Sequence, residues 1–444
     1  MIGKPFLPGG IVNSATGALF TYTVQCEISK GCAGFPKLVT APEFNPDVAM
    51  RHMDLYSVSH IIAYWKKTKN AMDKQPDWEL ARRVKDYNIY RRKGGAAPWV
   101  FVPENRPAFL RTDNWKERAI EWFSVPNVLE EPFVFLEPGE EIPDPELTQE
   151  FDLAAYFGVL AESRSDPTEI PCWSMLGPFF HEPDIENPYE WNPVDDREEG
   201  LRPGRPMKGV AWRSFFREGK IDVDTMLNPS HHLVVYAYAG LYADKPGPAR
   251  LLLANDDEMV LFFNNQRVKE SPRHEVERPA IADVELREGR NDLIIKLNQG
   301  VGGAFYHARV QTPDGDPVPG LRFGPDPLGP APATPATFAP TPKNCDVNIT
   351  RFDDQEVRFT TSCLGEPHIV KYSWFMNWKV KGARKIYQVS PNFMLVYPRE
   401  NEVVLTYGSV GVDIFSRILT LIGYIALAFL FFRSWRERKT ESAS

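Results

Sequence analysis

Two adjacent carboxylates, Asp256 and Asp257, stand between apolar runs, LLLAN before them and EMVLFF after. The doublet has two readings. In one, it is a turn whose carboxylates accept backbone N–H groups. In the other, it offers oxygens to a calcium ion, which takes carboxylate and carbonyl ligands, or to sugar hydroxyls. Trp191 and Trp212 lie in a loop-rich stretch before the first long apolar runs. An exposed indole can stack on a sugar ring, whereas a buried one is core. These four residues are the carbohydrate-binding candidates. His231-His232 abuts an apolar run and reads as strand entry rather than a metal pair. Glu130-Glu131, Glu140-Glu141 and Asp195-Asp196 fall between periodic segments and read as solvated. Glycoside hydrolysis needs two carboxylates about 5–10 Å apart across one bond, and spacing along the chain does not give that placement.

The familiar reactive motifs are missing. No GxSxG, HExxH, Walker loop or dinucleotide fingerprint occurs. No catalytic residue, metal ligand set or cofactor is therefore assigned. The net charge of −8 argues against a nucleic-acid footprint. Five cysteines fall as Cys26 and Cys32, Cys172 alone, then Cys345 and Cys363. In an oxidising compartment the two pairs are candidate disulfides, and five free thiols is the alternative.

These residues need elements to hold them, and the pattern changes along the chain. Residues 1–136 read as a small α/β domain. Asn45-Pro46 marks a helix start, Val58–Tyr64 a buried strand, Trp78–Lys85 and Asn88–Arg92 a hairpin, and Trp99–Glu104 another strand. Asp113 is the expected cap of a helix carrying Trp115, Ala119 and Trp122 on one face. Residues 137–171 form a linker and a helix through Leu153, Phe157 and Leu160. Residues 172–312 alternate short strands with turns, the signature of a jelly-roll β-sandwich. Six strands are expected there, with Asn264-Asn265 and Glu288-Gly289 as turns. Residues 313–342 are Pro-rich and read as a semi-rigid spacer. Residues 343–410 return to strands.

Residues 411–433 read as a transmembrane helix. Ile418–Phe432 carries no charge, and a span takes roughly 20 apolar residues. Arg417 can snorkel near one end. Arg433, Arg436, Arg438 and Lys439 follow at once, so residues 434–444 are expected in the cytoplasm and the bulk outside it. The opening residues MIGKPFLPGGIVNSATGALF lack the form of a signal peptide. The expectation is therefore a C-terminal piece of a larger multi-spanning protein.

Two stretches carry a family resemblance. Glu27–Tyr64 and Gly365–Gly408, the latter with NWKVKGA and VSPNFMLVYP, resemble the extracytoplasmic C-terminal region of bacterial membrane proteins related by name to 6-pyruvoyl-tetrahydropterin synthase. The membrane core of that family is similar to the GT-C class of lipid-linked-sugar glycosyltransferases. The resemblance covers about residues 1–135 and 345–432. It implies a bacterial inner-membrane setting and a multi-spanning glycosyltransferase partner chain. The family's run of membrane helices, with its catalytic acid, has no counterpart here. Trp173–Phe180, Leu251–Val268 and Leu286–Val310 resemble galactose-binding-like jelly rolls, which implies a possible glycan ligand. The resulting expectation is a multidomain α/β plus all-β chain, anchored in the bilayer by one C-terminal helix. It would serve as a non-catalytic accessory portion of a GT-C-like system in envelope glycan assembly. A free-standing carbohydrate-binding surface protein and a glycoside hydrolase with a targeting module are the alternatives.

Overall fold

The structure is a computed structural model that describes residues 18–29, 42–142, 149–183, 185, 187, 189–194, 197–204, 206–227, 231–325, 338–409 and 411–441. It is multidomain, α/β plus β, with one long apolar helix at its C-terminal end.

His60–Ala63 joins Tyr87–Arg92 and Trp78–Val84 in a three-stranded sheet, and Gly365–Gly408 contributes three strands to a separate seven-stranded one. Its order is Val100–Phe101, His368–Ser373, Phe393–Pro398, Ala383–Val389, Phe133–Leu136, Ala108–Arg111 and Gln149–Phe151. Ala108–Arg111 runs parallel to both of its neighbours. A parallel pair needs a crossover, and the helix Trp115–Phe123 supplies it, with Ala119 and Trp122 buried. The Trp122 indole N–H donates to the Glu131 carbonyl at 2.8 Å. Across the same joint the Tyr56 and Phe393 rings meet edge to face at 5.4 Å. The Lys371 ammonium donates to the Asp54 carbonyl and to Ser57 Oγ. Burial lowers the Lys371 pKa to about 8.

Local expectations hold where a single residue dominates. The Asn45 side chain caps the helix Pro46–Leu55 by accepting from Val48 N. The Trp78–Val84 and Tyr87–Arg92 hairpin forms. The expected Asp113 cap does not: the N-cap residue is Asn114, whose side chain donates to Glu117 instead. The expected strand over Trp99–Glu104 shrinks to Val100–Phe101.

The sandwich sets a large sheet against a small one. The large sheet runs Gln266–Ser271, Glu258–Phe263, Gly289–Gln299, Leu233–Ala243, Cys172–Phe180 and Arg213–Phe216, with Arg322–Gly324 also on Leu233–Ala243. The small sheet is Ile221–Asp222, Phe305–Gln311, Gly247–Asp256 and Ala280–Leu286. Alternate residues of a strand face opposite sides. Leu233, Val235, Ala237 and Leu241 join the inner core. Val234, Tyr236 and Tyr238 face the other way and pack under Tyr189, Trp191, Met207, Val210 and Trp212. Both faces of this strand are covered, and all eleven of its residues are buried. Asn264 and Asn265 both have positive φ, 50° and 66°, as a two-residue hairpin turn demands.

The stretch expected to be a spacer is docked at both of its described ends. Arg322–Gly324 pairs with Gly240–Tyr242. Phe338 packs its ring against Phe133 and Phe151, and Thr341 N donates to the Glu104 carbonyl. Apolar side chains spaced among the prolines give the extended chain something to bury. Residues 326–337 lie outside the described set.

A buried charged cluster joins the crossover helix to the sandwich. Arg213 pairs with Glu117 at 2.6 Å, Arg118 donates to the Ser214 carbonyl, and Glu121 accepts from Phe216 N. Arg118 Nη1 stands 2.9 Å from Glu121 Oε2. Burial, partly offset by Arg118, pushes the Glu121 carboxyl from 4.5 up to about 8. A carboxyl shifted upward favours the folded state in its protonated form. That stability is fully present below pH 4.5 and is lost as pH rises towards 8. Urea unfolding across that window should therefore show stability falling with pH, and Glu121→Gln should flatten the slope. An unchanged slope would mean that another group sets it.

Beyond this joint, a four-stranded sheet runs Val347–Phe352, Glu356–Thr361, Glu402–Tyr407 and Trp378–Lys381. Cys345 and Cys363 form a disulfide across an 18-residue separation. Closing a loop of about that length stabilises by ~3 kcal/mol in the chain-entropy account. Cys26 is also disulfide-bonded, Cys32 lies outside the described residues, and Cys172 is a buried free thiol. The last helix, Gly411–Glu441, contains the 18-residue stretch Ile414–Phe431 with none of it buried. Its length and composition suit a single membrane span.

Candidate functional site

One end of the sandwich gathers buried polar atoms that lack partners, most of them oxygens. Asp256 ends the strand Gly247–Asp256 and Asp257 leads into Glu258–Phe263; the peptide between them is cis. Asp256 is 7% exposed. Its carboxyl is held above the ordinary 3.8, first by burial and then by a hydrogen bond with Asp257, while Arg273 opposes the shift. Arg273 Nε stands 3.6 Å from Asp256 Oδ1. Asp257 Oδ2 accepts from Gly300 N at 3.1 Å, so part of the doublet does the work of a turn.

The loop Gly300–Gly303 connects two strands directly over these carboxylates. A Cβ on Gly300 would sit 3.3 Å from Asp257 Oδ2. One on Gly303 would sit 3.6 Å from Asp224 Oδ2 and 3.9 Å from Asp256 Oδ2. Gly302 has a φ of 105°, which favours glycine. Asp224 Oδ2 accepts from Ala304 N, and burial foremost raises the Asp224 carboxyl too.

Around this mouth several buried oxygens have no hydrogen-bond partner among the described residues, Asp224 Oδ1, Asn255 Oδ1, Asn298 Oδ1 and Gln299 Oε1, beside two such nitrogens, Gln299 Nε2 and His232 Nδ1. Asn255 is fully buried and spends its amide N–H groups on the carbonyls of Asp257 and Pro272. Buried acceptors left unpaired cost about 1–3 kcal/mol each. An excess of lone pairs beside carboxylates suits a bound cation or a hydroxyl-rich ligand. Among the described residues no three His, Cys, Asp or Glu side chains form a preformed metal cage. That disfavours zinc, whose structural sites are closed by four N or S ligands. Calcium completes its shell with carbonyls and waters, so the Asp256-Asp257 pair with Asn255 Oδ1 fits it without Asp224 as a third carboxylate.

Trp191 reaches the same end by a chain of contacts. It packs edge to face on His181 at 5.2 Å, and His181 lies 6.0 Å from His232. His232 N donates to the Gly300 carbonyl. His231-His232 is thus a strand entry that also braces the glycine loop. Phe180, 59% exposed, and Val301, 69% exposed, add apolar surface there. Trp212 is not tied to this group. Like Trp191, it packs over Val234, Tyr236 and Tyr238 on the sheet's outer face. Asp195-Asp196 lies outside the described residues. Asp224, Asn255 and Gly300–Gly303 carry no motif. The glycine run was the available signal, since glycine in a strand connection marks close backbone approach.

No protein-family model matches the chain, the GT-C-related family included, and no curated protein matches it significantly. Solved structures do. The epithelial adhesin 9 A domain from Candida glabrata in complex with Galβ1-3GlcNAc aligns over 37% of this chain and 94% of its own, at 11% identity and a TM-score of 0.25. A β-glucosidase from Kluyveromyces marxianus aligns over 48% and 25%, at 9% identity and 0.21. A Ruminococcus gnavus β-glucuronidase aligns over 54% and 41%, at 10% identity and 0.22. Similarity at that level carries no functional weight, and the chemistry of the site has to carry it.

Proposed function

We propose that this chain is a membrane-anchored glycan-binding protein, whose sandwich holds sugar hydroxyls at the Asp256–Asp257 mouth through a calcium ion. The observation that carries this reading is the surplus of buried, unpartnered oxygens around two adjacent carboxylates. When bound, calcium would supply a hard, positively charged partner for vicinal hydroxyls. Asp256 and Asp257 would hold it, Asn255 would orient the doublet, and Phe180, Val301 and Trp191 would offer apolar and aromatic surface to a ring face. No bond is made or broken. The Glu121 carboxyl, which burial raises to about 8, is sealed within a packed joint, which disfavours it as the acid of a hydrolase.

The bulk is read as extracytoplasmic. The disulfide pairing of Cys345 with Cys363 supports this, because such bonds persist in oxidising compartments, and the basic tail supports a cytoplasmic C-terminus. The bacterial inner membrane is the setting the resemblance implies. So is a role beside a multi-spanning glycosyltransferase, for which the packing of the two resembling stretches, Tyr56 on Phe393 and Lys371 on Asp54 and Ser57, is the supporting observation. The full chain in nanodiscs, applied to a glycan array, should bind a set of glycans. Chelator should remove that binding and calcium restore it. Silence across the array, or binding indifferent to chelator, would overturn the proposal.

A further inference from the structure

The loop Trp374–Asn377 ends in exposed apolar side chains beside the start of the terminal helix. Phe375 is 41% exposed, Met376 66% and Tyr407 44%. Such residues side by side are uncommon on a protein surface facing water, and a contiguous apolar patch marks a contact surface. The Phe375 and Tyr407 rings lie 6.4 Å apart, and Trp378 packs on Tyr407 at 5.4 Å. The patch is therefore a built cluster and not two loose side chains.

Its position is fixed by hydrogen bonds to the residues just before the helix. Asn377 Nδ2 donates to the Gly408 carbonyl at 3.0 Å, and Gly408 N donates back to the Asn377 carbonyl at 3.1 Å. Lys379 Nζ donates to the Ser409 carbonyl at 3.2 Å. The helix begins at Gly411, three residues beyond Gly408, and three residues reach at most about 11 Å. The headgroup layer on each side of a bilayer is about 5–8 Å thick. From Gly411 to Ile414 the helix adds about 4.5 Å, so with Ile414–Phe431 in the hydrocarbon the loop is tethered within about 15 Å of its edge, near enough for its side chains to reach the headgroup layer. Aromatic side chains partition into that layer.

We propose that Phe375, Met376 and Tyr407 dip into the headgroup region of the bilayer that holds the helix, as a second contact that fixes the posture of the folded part over the membrane. The occupant is lipid. The inference rests on the reading of Ile414–Phe431 as a span and does not depend on glycan binding.

The test uses the full chain in liposomes with a nitroxide on one of three single substitutions, Met376→Cys, Ile425→Cys or Ile281→Cys. All three positions are exposed on the protein, whereas Cys172 is buried away from the reagent. Collision with oxygen, which concentrates in lipid, is compared with collision with a water-soluble nickel chelate. The label at 425 should see oxygen and no nickel, and that at 281 the reverse. The label at 376 should show nickel access several-fold below that at 281, with raised oxygen access. Nickel access at 376 equal to that at 281, with 425 in lipid, would overturn the proposal and leave the span standing. Exclusion of both probes at 376 would mean a protein covers the patch, which also overturns it. Nickel access at 425 would remove the span and the proposal together.

Discussion

Asp256→Asn in the full chain should abolish calcium-dependent glycan binding while leaving the fold intact. The substitution keeps the shape of a side chain that is 7% exposed and removes its charge. Burial and Asp257 already push the Asp256 carboxyl towards its neutral form, so an amide suits the calcium-free protein at least as well. Calcium affinity, in contrast, is tuned by the number of charged ligands. Even changes outside the ligand shell weaken metal sites by about 10–100-fold, and loss of a ligand charge should cost no less. The two effects separate in one measurement. At about 100 Kd, calcium should stabilise the native chain by ~2.7 kcal/mol and leave the variant's melting temperature unmoved. Chelator-sensitive binding retained by the variant would refute the site. The same shift fixes a pH signature. Because the Asp256 pKa lies above 3.8, calcium binding to the native chain should fade on acidification before ordinary carboxylates titrate, and a pH series of calcium titrations would show it.

The second large effect is expected at Glu198. Lys296 is buried to 1% exposure in the large sheet and meets Glu198 at 2.7 Å, while its ammonium also donates to the Tyr189 carbonyl. The Tyr236 hydroxyl donates to the same Glu198. Burial already lowers the Lys296 pKa, and Glu198 opposes that shift. Glu198→Ala leaves a buried ammonium with one carbonyl and a tyrosine hydroxyl with no acceptor. Breaking a buried pair from one side costs about 3–5 kcal/mol, which is large against a typical stability of about 5–15 kcal/mol. Replacing both charges, as Glu198→Leu with Lys296→Met, should recover most of that loss. Urea unfolding of the three proteins tests this. A single variant as stable as the native chain would mean the pair is not closed in solution. The clamp also presses the Tyr189–Trp191 segment onto the sheet, so Glu198→Ala should loosen that segment to protease.

How much of this was legible in the residues depended on the range of the interaction. Asn45 and Asn264-Asn265 act within three or four residues of themselves, and both were readable. Asp113 failed because the neighbouring Asn114 takes the cap position, a one-residue choice that composition does not make. The proline-rich stretch 313–342 looked like a spacer because proline forbids ladder donors. Arg322–Gly324 and Phe338 dock all the same, held by partners far away in sequence. The Asp256-Asp257 doublet was visible. Asp224 and the Gly300–Gly303 loop were not, since their relation to it exists only once the sandwich is folded. Trp191 and Trp212 look alike in sequence and both pack over Val234, Tyr236 and Tyr238, and only the fold brings Trp191 against His181 as well.

Phe133 and Ser390 are hydrogen-bonded across a sequence separation of 257, with the whole sandwich threaded between them. During synthesis, then, the first half of that sheet leaves the ribosome with its edge open and waits for its complement. The intervening domain, complete by then, must fold on its own account and bring its two ends together. Ring closure of so long a segment is costly when the chain is slack and cheap when a compact insert has already shortened it. Variants that slow the insert should therefore expose an apolar β-edge on the nascent chain and lower yield, even where the finished protein is unharmed.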